Sequence, residues 1–120
     1  MLLLAFAILS ATMAAGIVLA LLHLRGSPRH GAVGGLHGVA GAAGLVALLL
    51  ALRGPPRGVL TGVASFGAIA AVLAAVALAA GLAVAVLARR SHGAVGLVIG
   101  THATLAITAY VLLLAYVSLG

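Results

Sequence analysis

Histidine is the residue type in this sequence on which metal or cofactor chemistry would have to rest. The 120 residues include five histidines and six arginines, but no aspartate, glutamate, lysine or cysteine. The missing carboxylates exclude acid–base catalysis by aspartate or glutamate, acidic metal sites and hydrolytic triads with an acidic member. The missing cysteines exclude thiolate nucleophiles, disulfides and cysteine-bound zinc or iron–sulfur centres.

The composition is that of a membrane protein. Hydrophobic residues make up 66% of the chain and charged residues only 5%, whereas soluble domains carry about 25% charged residues. Four apolar runs are long enough, as helices, to cross a hydrocarbon core of ~30 Å. The turns between them combine arginine with glycine, serine or proline, and Pro55-Pro56 is the firmest break. The predicted helices are residues 2–24, 32–52, 60–88 and 94–119.

Every backbone polar group in lipid must be hydrogen-bonded within its own segment. We therefore predict an all-α fold, an integral-membrane up-and-down four-helix bundle forming the single domain 1–120. The first run is too long for a secretory signal and lacks a basic leading region, so we expect a mature helix. The arginine distribution predicts a multi-pass protein with both termini in the periplasm. Arginine without lysine, together with the excess of alanine and glycine, is typical of a GC-rich bacterial genome, so we expect the bacterial inner membrane. The four arginines of the predicted cytoplasmic turns are Arg25, Arg29, Arg89 and Arg90.

The sequence also predicts a tandem repeat of two helical hairpins, with units at about 1–58 and 59–120. Two segments recur: AAGI at 14–17 as AAGL at 79–82, and HGAVG at 30–34 as HGAVG at 92–96. His37 in the first unit matches His102 in the second. Two copies of the same topology are related by a pseudo-twofold axis along the membrane normal. We therefore expect His37 and His102 on equivalent faces of the second and fourth helices, at similar depth.

His37 and His102 lie inside apolar runs, roughly 8 to 12 Å below the interface. Polar groups at that depth are costly and usually functional. Helical spacing puts Gly34, Gly41 and Gly44 on the same face as His37. Glycine inside a helix costs ~1 kcal/mol relative to alanine, so these glycines predict the close approach of another helix or of a flat ligand.

The remaining histidines lie nearer to the predicted membrane surface. His23 ends the first helix, and we interpret it as an interfacial side chain. His30 and His92 begin the second and fourth helices and are secondary candidates for a functional role.

Two neutral imidazoles that face each other, with glycines beside them, fit a planar macrocycle whose iron takes one histidine on each side. We therefore predict one haem b, with His37 and His102 as the axial ligands. Iron with two protein ligands has no open position, which favours electron transfer over oxygen chemistry. Haem propionates need cations. The arginines at the same end of the bundle could supply them: Arg25, Arg29, Arg89 and Arg90.

This arrangement resembles the b-type cytochromes, whose membrane four-helix bundles hold haem between facing helices. The resemblance rests on the bundle and on the pair His37 and His102. Two-haem members place a second histidine about fourteen residues further along each helix, where this sequence has Ala51 and Tyr116, so one haem is expected. The resemblance implies a non-catalytic electron-transfer or accessory subunit of an oxidoreductase complex. Its partners would be the lipid bilayer and other membrane subunits of a respiratory or photosynthetic complex.

Two other functions stay open. One is a structural or pigment-binding accessory subunit, in which a single histidine ligates the magnesium of a chlorophyll-type pigment. The other is a small transporter or channel with Thr101, Thr104 and Thr108 along its pore. A homodimer is a further candidate assembly, and a quinone near Tyr110 or the His102 face is a candidate ligand that no motif supports. Nucleic acid is not expected, because there is no basic stripe and no aromatic stacking platform.

Overall fold

The computed structural model describes residues 1–27, 31–87 and 95–120, and within these ranges the chain forms four α-helices. They are α1 (Leu2–Leu24), α2 (Gly31–Ala51), α3 (Phe66–Leu87) and α4 (Val95–Leu119). All four are long and apolar enough to cross a membrane. The described part of the chain measures 47 × 22 × 20 Å, which suits a bilayer of ~40–45 Å including its headgroups. These helices indicate a multi-pass membrane protein.

Helices that follow one another in sequence pack side by side. α1 packs most extensively on α2 and α3 on α4, and the two hairpins meet along the α2–α3 and α1–α4 seams. In the part of the chain described, no Cα atom of α2 comes within 8 Å of one of α4, so these two helices lie on a diagonal of the bundle. Mostly small side chains allow the helices to approach closely. The buried core cluster consists of Ala5, Ala47, Leu48, Ala70, Ala71 and Leu113.

The first helix and the end of α4 have the predicted bounds, and α2 differs from the prediction by one residue at each end. The predicted end of α3 at residue 88 and the predicted start of α4 at residue 94 lie outside the described residues. The start of α3 differs more, since it lies at Phe66 rather than at residue 60. Gly58 and Gly62 have φ angles of +71° and +76°, in the left-handed region that an α-helix does not use. The Val63 amide donates to the Gly58 carbonyl at 3.0 Å, and the Val63 side chain is buried. Residues 60–65 therefore form a turn that buries Val63, and not the start of a helix.

We expect replacement of Gly44 by alanine to destabilise the bundle. A Cβ atom at Gly44 would lie 2.7 Å from Cγ and Cδ2 of Leu9 on α1, and overpacking of this kind costs ~1–3 kcal/mol. Unfolding in detergent micelles measures the loss. Gly96→Ala is the matched control, because a Cβ atom there meets nothing within 4 Å. Equal destabilisation by both substitutions would contradict the packing role of Gly44.

Candidate functional site

His37 and His102 meet inside the bundle. His37 lies six residues after the start of α2 and His102 seven after the start of α4, so each is about 10 Å along its helix. Both side chains are half-buried. Their ring centroids are 6.1 Å apart and the ring planes are nearly perpendicular, at 78°. The two imidazoles therefore reach towards each other across the diagonal between α2 and α4.

Each ring is oriented by a hydrogen bond to the neighbouring helix of its own hairpin. Nδ1 of His37 lies 3.0 Å from the carbonyl oxygen of Thr12 on α1. Nδ1 of His102 lies 2.7 Å from the carbonyl oxygen of Ala77 on α3. A carbonyl oxygen only accepts, so Nδ1 carries the proton and donates it in both bonds. In a neutral imidazole the lone pair is then on Nε2, which is the form that ligates metals.

A glycine one turn beyond each accepting carbonyl makes room for the ring. A Cβ atom at Gly16 would lie 3.0 Å from Cε1 of His37, and one at Gly81 would lie 3.1 Å from Cε1 of His102. A helical side chain covers the turn that precedes it, so a larger residue at either position would shield the carbonyl four residues earlier. These glycines let the imidazoles reach the backbone of α1 and α3.

The two half-sites have the same spacing in the sequence. Thr12 and Ala77, Gly16 and Gly81, and His37 and His102 are each 65 residues apart. The comparison of the sequence with itself pairs Gly16 with Gly81, but it assigns neither residue to the site. The signal available in the sequence was the shared offset, because Gly16 and Gly81 are 65 residues apart, as are His37 and His102.

The other predicted site residues have different surroundings. Gly44 packs on Leu9, a Cβ atom at Gly41 would lie 3.5 Å from Thr12 Cγ2, and a Cβ atom at Gly34 would meet nothing within 4 Å. The glycines on the His37 face thus differ in role, since one is closely packed and one borders open space.

The structure describes Arg25 and His23 among the remaining arginines and histidines predicted at the histidine end of the bundle. Arg25 and His23 are exposed where α1 ends, at the end of the bundle nearer to the histidine pair. The remaining predicted residues at this end fall outside the described residues: Arg29, His30, Arg89, Arg90 and His92.

The threonines considered for a pore lie on the outside of the bundle. Thr101, Thr104 and Thr108 are exposed. Their hydroxyls donate to the carbonyls of Leu97, Gly100 and Thr104, respectively, one turn earlier on α4. The hydroxyl protons are therefore used within the helix.

The described residues hold no group of three or more histidine, cysteine or acidic side chains that could bind a metal ion. The histidine pair could supply two nitrogen ligands.

Comparisons with known proteins give no match: no family model matches the chain, no curated protein matches it, and no solved structure matches it. We therefore base the function on the chemistry of the site.

We expect ¹⁵N NMR of the membrane-reconstituted protein to find His37 and His102 protonated at Nδ1 and unprotonated at Nε2. The hydrogen bonds to Thr12 and Ala77 carbonyls require this tautomer. His23, exposed at the end of α1, is the internal control and should show no such fixed tautomer. A neutral ring protonated at Nε2 and not at Nδ1, at either inner histidine, would contradict its hydrogen bond to the backbone carbonyl.

Proposed function

We propose that the protein is a membrane electron-transfer subunit that binds one haem b between α2 and α4, with His37 and His102 as axial ligands. The observation that carries the proposal is the pairing of these two imidazoles across the diagonal, each held at Nδ1 by a backbone carbonyl. That bond leaves Nε2 of each ring free for a metal. Haem iron with two protein ligands has no open coordination position, so its chemistry is electron transfer.

The separation of the rings supports two ligands on one metal ion. An imidazole nitrogen lies ~2.0 Å from a bound metal and about 1 Å from its ring centre, so two opposed ligands have ring centres about 6 Å apart. The observed separation is 6.1 Å. This pairing also favours haem over a chlorophyll-type pigment, whose magnesium needs one histidine.

His37 on α2 and His102 on α4 would hold the haem from opposite corners of the bundle. Gly16 on α1 and Gly81 on α3 make room for the two imidazoles themselves.

The remaining parts of the proposal follow from the sequence. The arginines near the histidine end, with Arg25 exposed among them, are suited to the haem propionates. The equal 65-residue spacing of the two half-sites supports descent from a duplicated hairpin. A bundle without a catalytic domain would exchange electrons with other membrane subunits of a respiratory or photosynthetic complex. We place it in a bacterial inner membrane with both termini in the periplasm.

A reduced-minus-oxidised absorption spectrum of the purified protein tests the proposal. We expect the sharp bands of low-spin haem in the wild type, and their loss in His37→Ala and in His102→Ala, because each substitution removes one axial ligand. His23→Ala is the control and should keep the spectrum. A colourless wild-type protein that does not take up added haem would contradict the proposal, and a far-red magnesium-pigment band would favour the pigment alternative.

We also expect Gly16→Leu and Gly81→Leu each to abolish haem binding. Either side chain would occupy the space used by the imidazole and shield the carbonyl that orients it. Haem content per protein, measured after extraction, should fall at least tenfold while helix content by circular dichroism is unchanged. Gly96→Leu adds the same side chain where nothing lies within 4 Å and should retain haem. Full haem content in both site variants would disprove the role of the two glycines.

A further inference from the structure

The connection between α2 and α3 exposes apolar side chains beside cations. Val59 is 64% exposed and Leu60 is fully exposed. Arg53 and Arg57, on the same connection, are exposed as well. Aliphatic side chains next to basic ones are typical of segments that lie in the headgroup layer of a membrane. We call residues 53–60 the α2–α3 tip.

The tip has a defined conformation. The Thr61 hydroxyl donates to the carbonyl of Leu119, at the end of α4, over 2.9 Å. The Val63 side chain is buried, and its amide donates to the Gly58 carbonyl. Gly58 has a φ angle of +71°, and a Cβ atom there would overlap the Val63 side chain. The exposure of Val59 and Leu60 therefore results from a turn anchored on both sides.

The bond between Thr61 and Leu119 sets the depth of the tip. Leu119 is the last residue of α4 and its side chain is 55% exposed. Arg57 lies at the same level, since a Cβ atom at Gly120 would be 3.4 Å from the Cβ atom of Arg57. A cation beside exposed apolar surface indicates the edge of the hydrocarbon layer. Leu60 is next to Thr61 in the chain, so its side chain is within reach of the outer acyl carbons.

The two arginines of the tip have no acidic side chain available to them within this sequence. The sequence contains no aspartate or glutamate, so no acidic side chain of this chain can pair with Arg53 or Arg57. At the edge of the hydrocarbon layer the available anions are lipid phosphates, which arginine binds through paired N–H donors. The charge of the tip thus complements a surface rich in anionic phospholipid.

We propose that the α2–α3 tip is an interfacial anchor, with Val59 and Leu60 among the outer acyl carbons and with Arg53 and Arg57 bound to phosphates of anionic phospholipids. The anchor forms only when the bundle lies in a bilayer, and it is independent of haem binding. A protein without haem would still anchor at this tip.

Fluorescence quenching tests the anchor, because the sequence contains no tryptophan. Leu60→Trp places a single fluorophore on the tip in vesicles that mix phosphatidylcholine and phosphatidylglycerol. We expect quenching when either lipid carries bromine on its outer acyl carbons, and stronger quenching by brominated phosphatidylglycerol. The preference for the anionic lipid should be about fivefold for each arginine at low salt. Arg53→Gln together with Arg57→Gln should remove the preference and keep the quenching.

Two controls make the result specific. Pro56→Trp puts the fluorophore on the same connection but away from the apolar pair, and bromolipids should quench it weakly. Arg25→Gln, at the opposite end of the bundle, should leave the preference at residue 60 unchanged. Water-like emission without quenching at residue 60, or equal quenching at residues 56 and 60, would overturn the proposal. Blue-shifted emission that no bromolipid quenches would also overturn it, since it would show a protein partner on the tip.

Discussion

The hydrogen bonds from two histidines to backbone carbonyls are the interactions on which the site depends. A polar group inside an apolar bundle is costly unless it is paired, and His37 and His102 each find a partner on the adjacent helix of the same hairpin. The bond uses Nδ1, fixes the tautomer of the neutral ring and leaves the lone pair on Nε2. It also requires a glycine one turn beyond the accepting carbonyl. One constraint thus accounts for the orientation of both rings and for the presence of Gly16 and Gly81.

The two hairpins make the same contacts around the histidines but different contacts where they pack against each other. On the α1–α4 seam, Phe6 and Tyr110 stack with centroids 5.8 Å apart, and the Tyr110 hydroxyl lies 2.9 Å from the Ser10 hydroxyl. On the α2–α3 seam, the residues that correspond to Phe6, Tyr110 and Ser10 at the 65-residue spacing are Ala71, Leu45 and Ala75. These three residues line an entirely apolar groove of about 290 Å³. The two seams are packed differently, yet the half-sites keep the same contacts, as a function that needs both histidines would require.

Much of this architecture is predictable from the sequence, because the physics of a bilayer is simple. Apolar runs of about 20 residues between arginines predict the four helices, and internal similarity pairs His37 with His102. The start of α3 is missed because hydropathy does not distinguish a helix from an apolar turn, and the left-handed glycines at 58 and 62 decide the difference. Gly16 is missed as a site residue because its role depends on the direction in which an imidazole from another helix points. Helical spacing along α2 predicts Gly44 as a site residue instead, but Gly44 packs against Leu9 of α1.

Electron paramagnetic resonance of the oxidised protein distinguishes a haem iron held by both imidazoles from one held by a single imidazole or by none. The signal of low-spin ferric haem depends on the angle between the two axial imidazole planes. The planes of His37 and His102 are 78° apart. If His37 and His102 both bind the iron of one haem, we expect a low-spin ferric signal of the highly anisotropic type that near-perpendicular ligand planes produce. A high-spin ferric signal, which would mean that at most one histidine binds the iron, would contradict it.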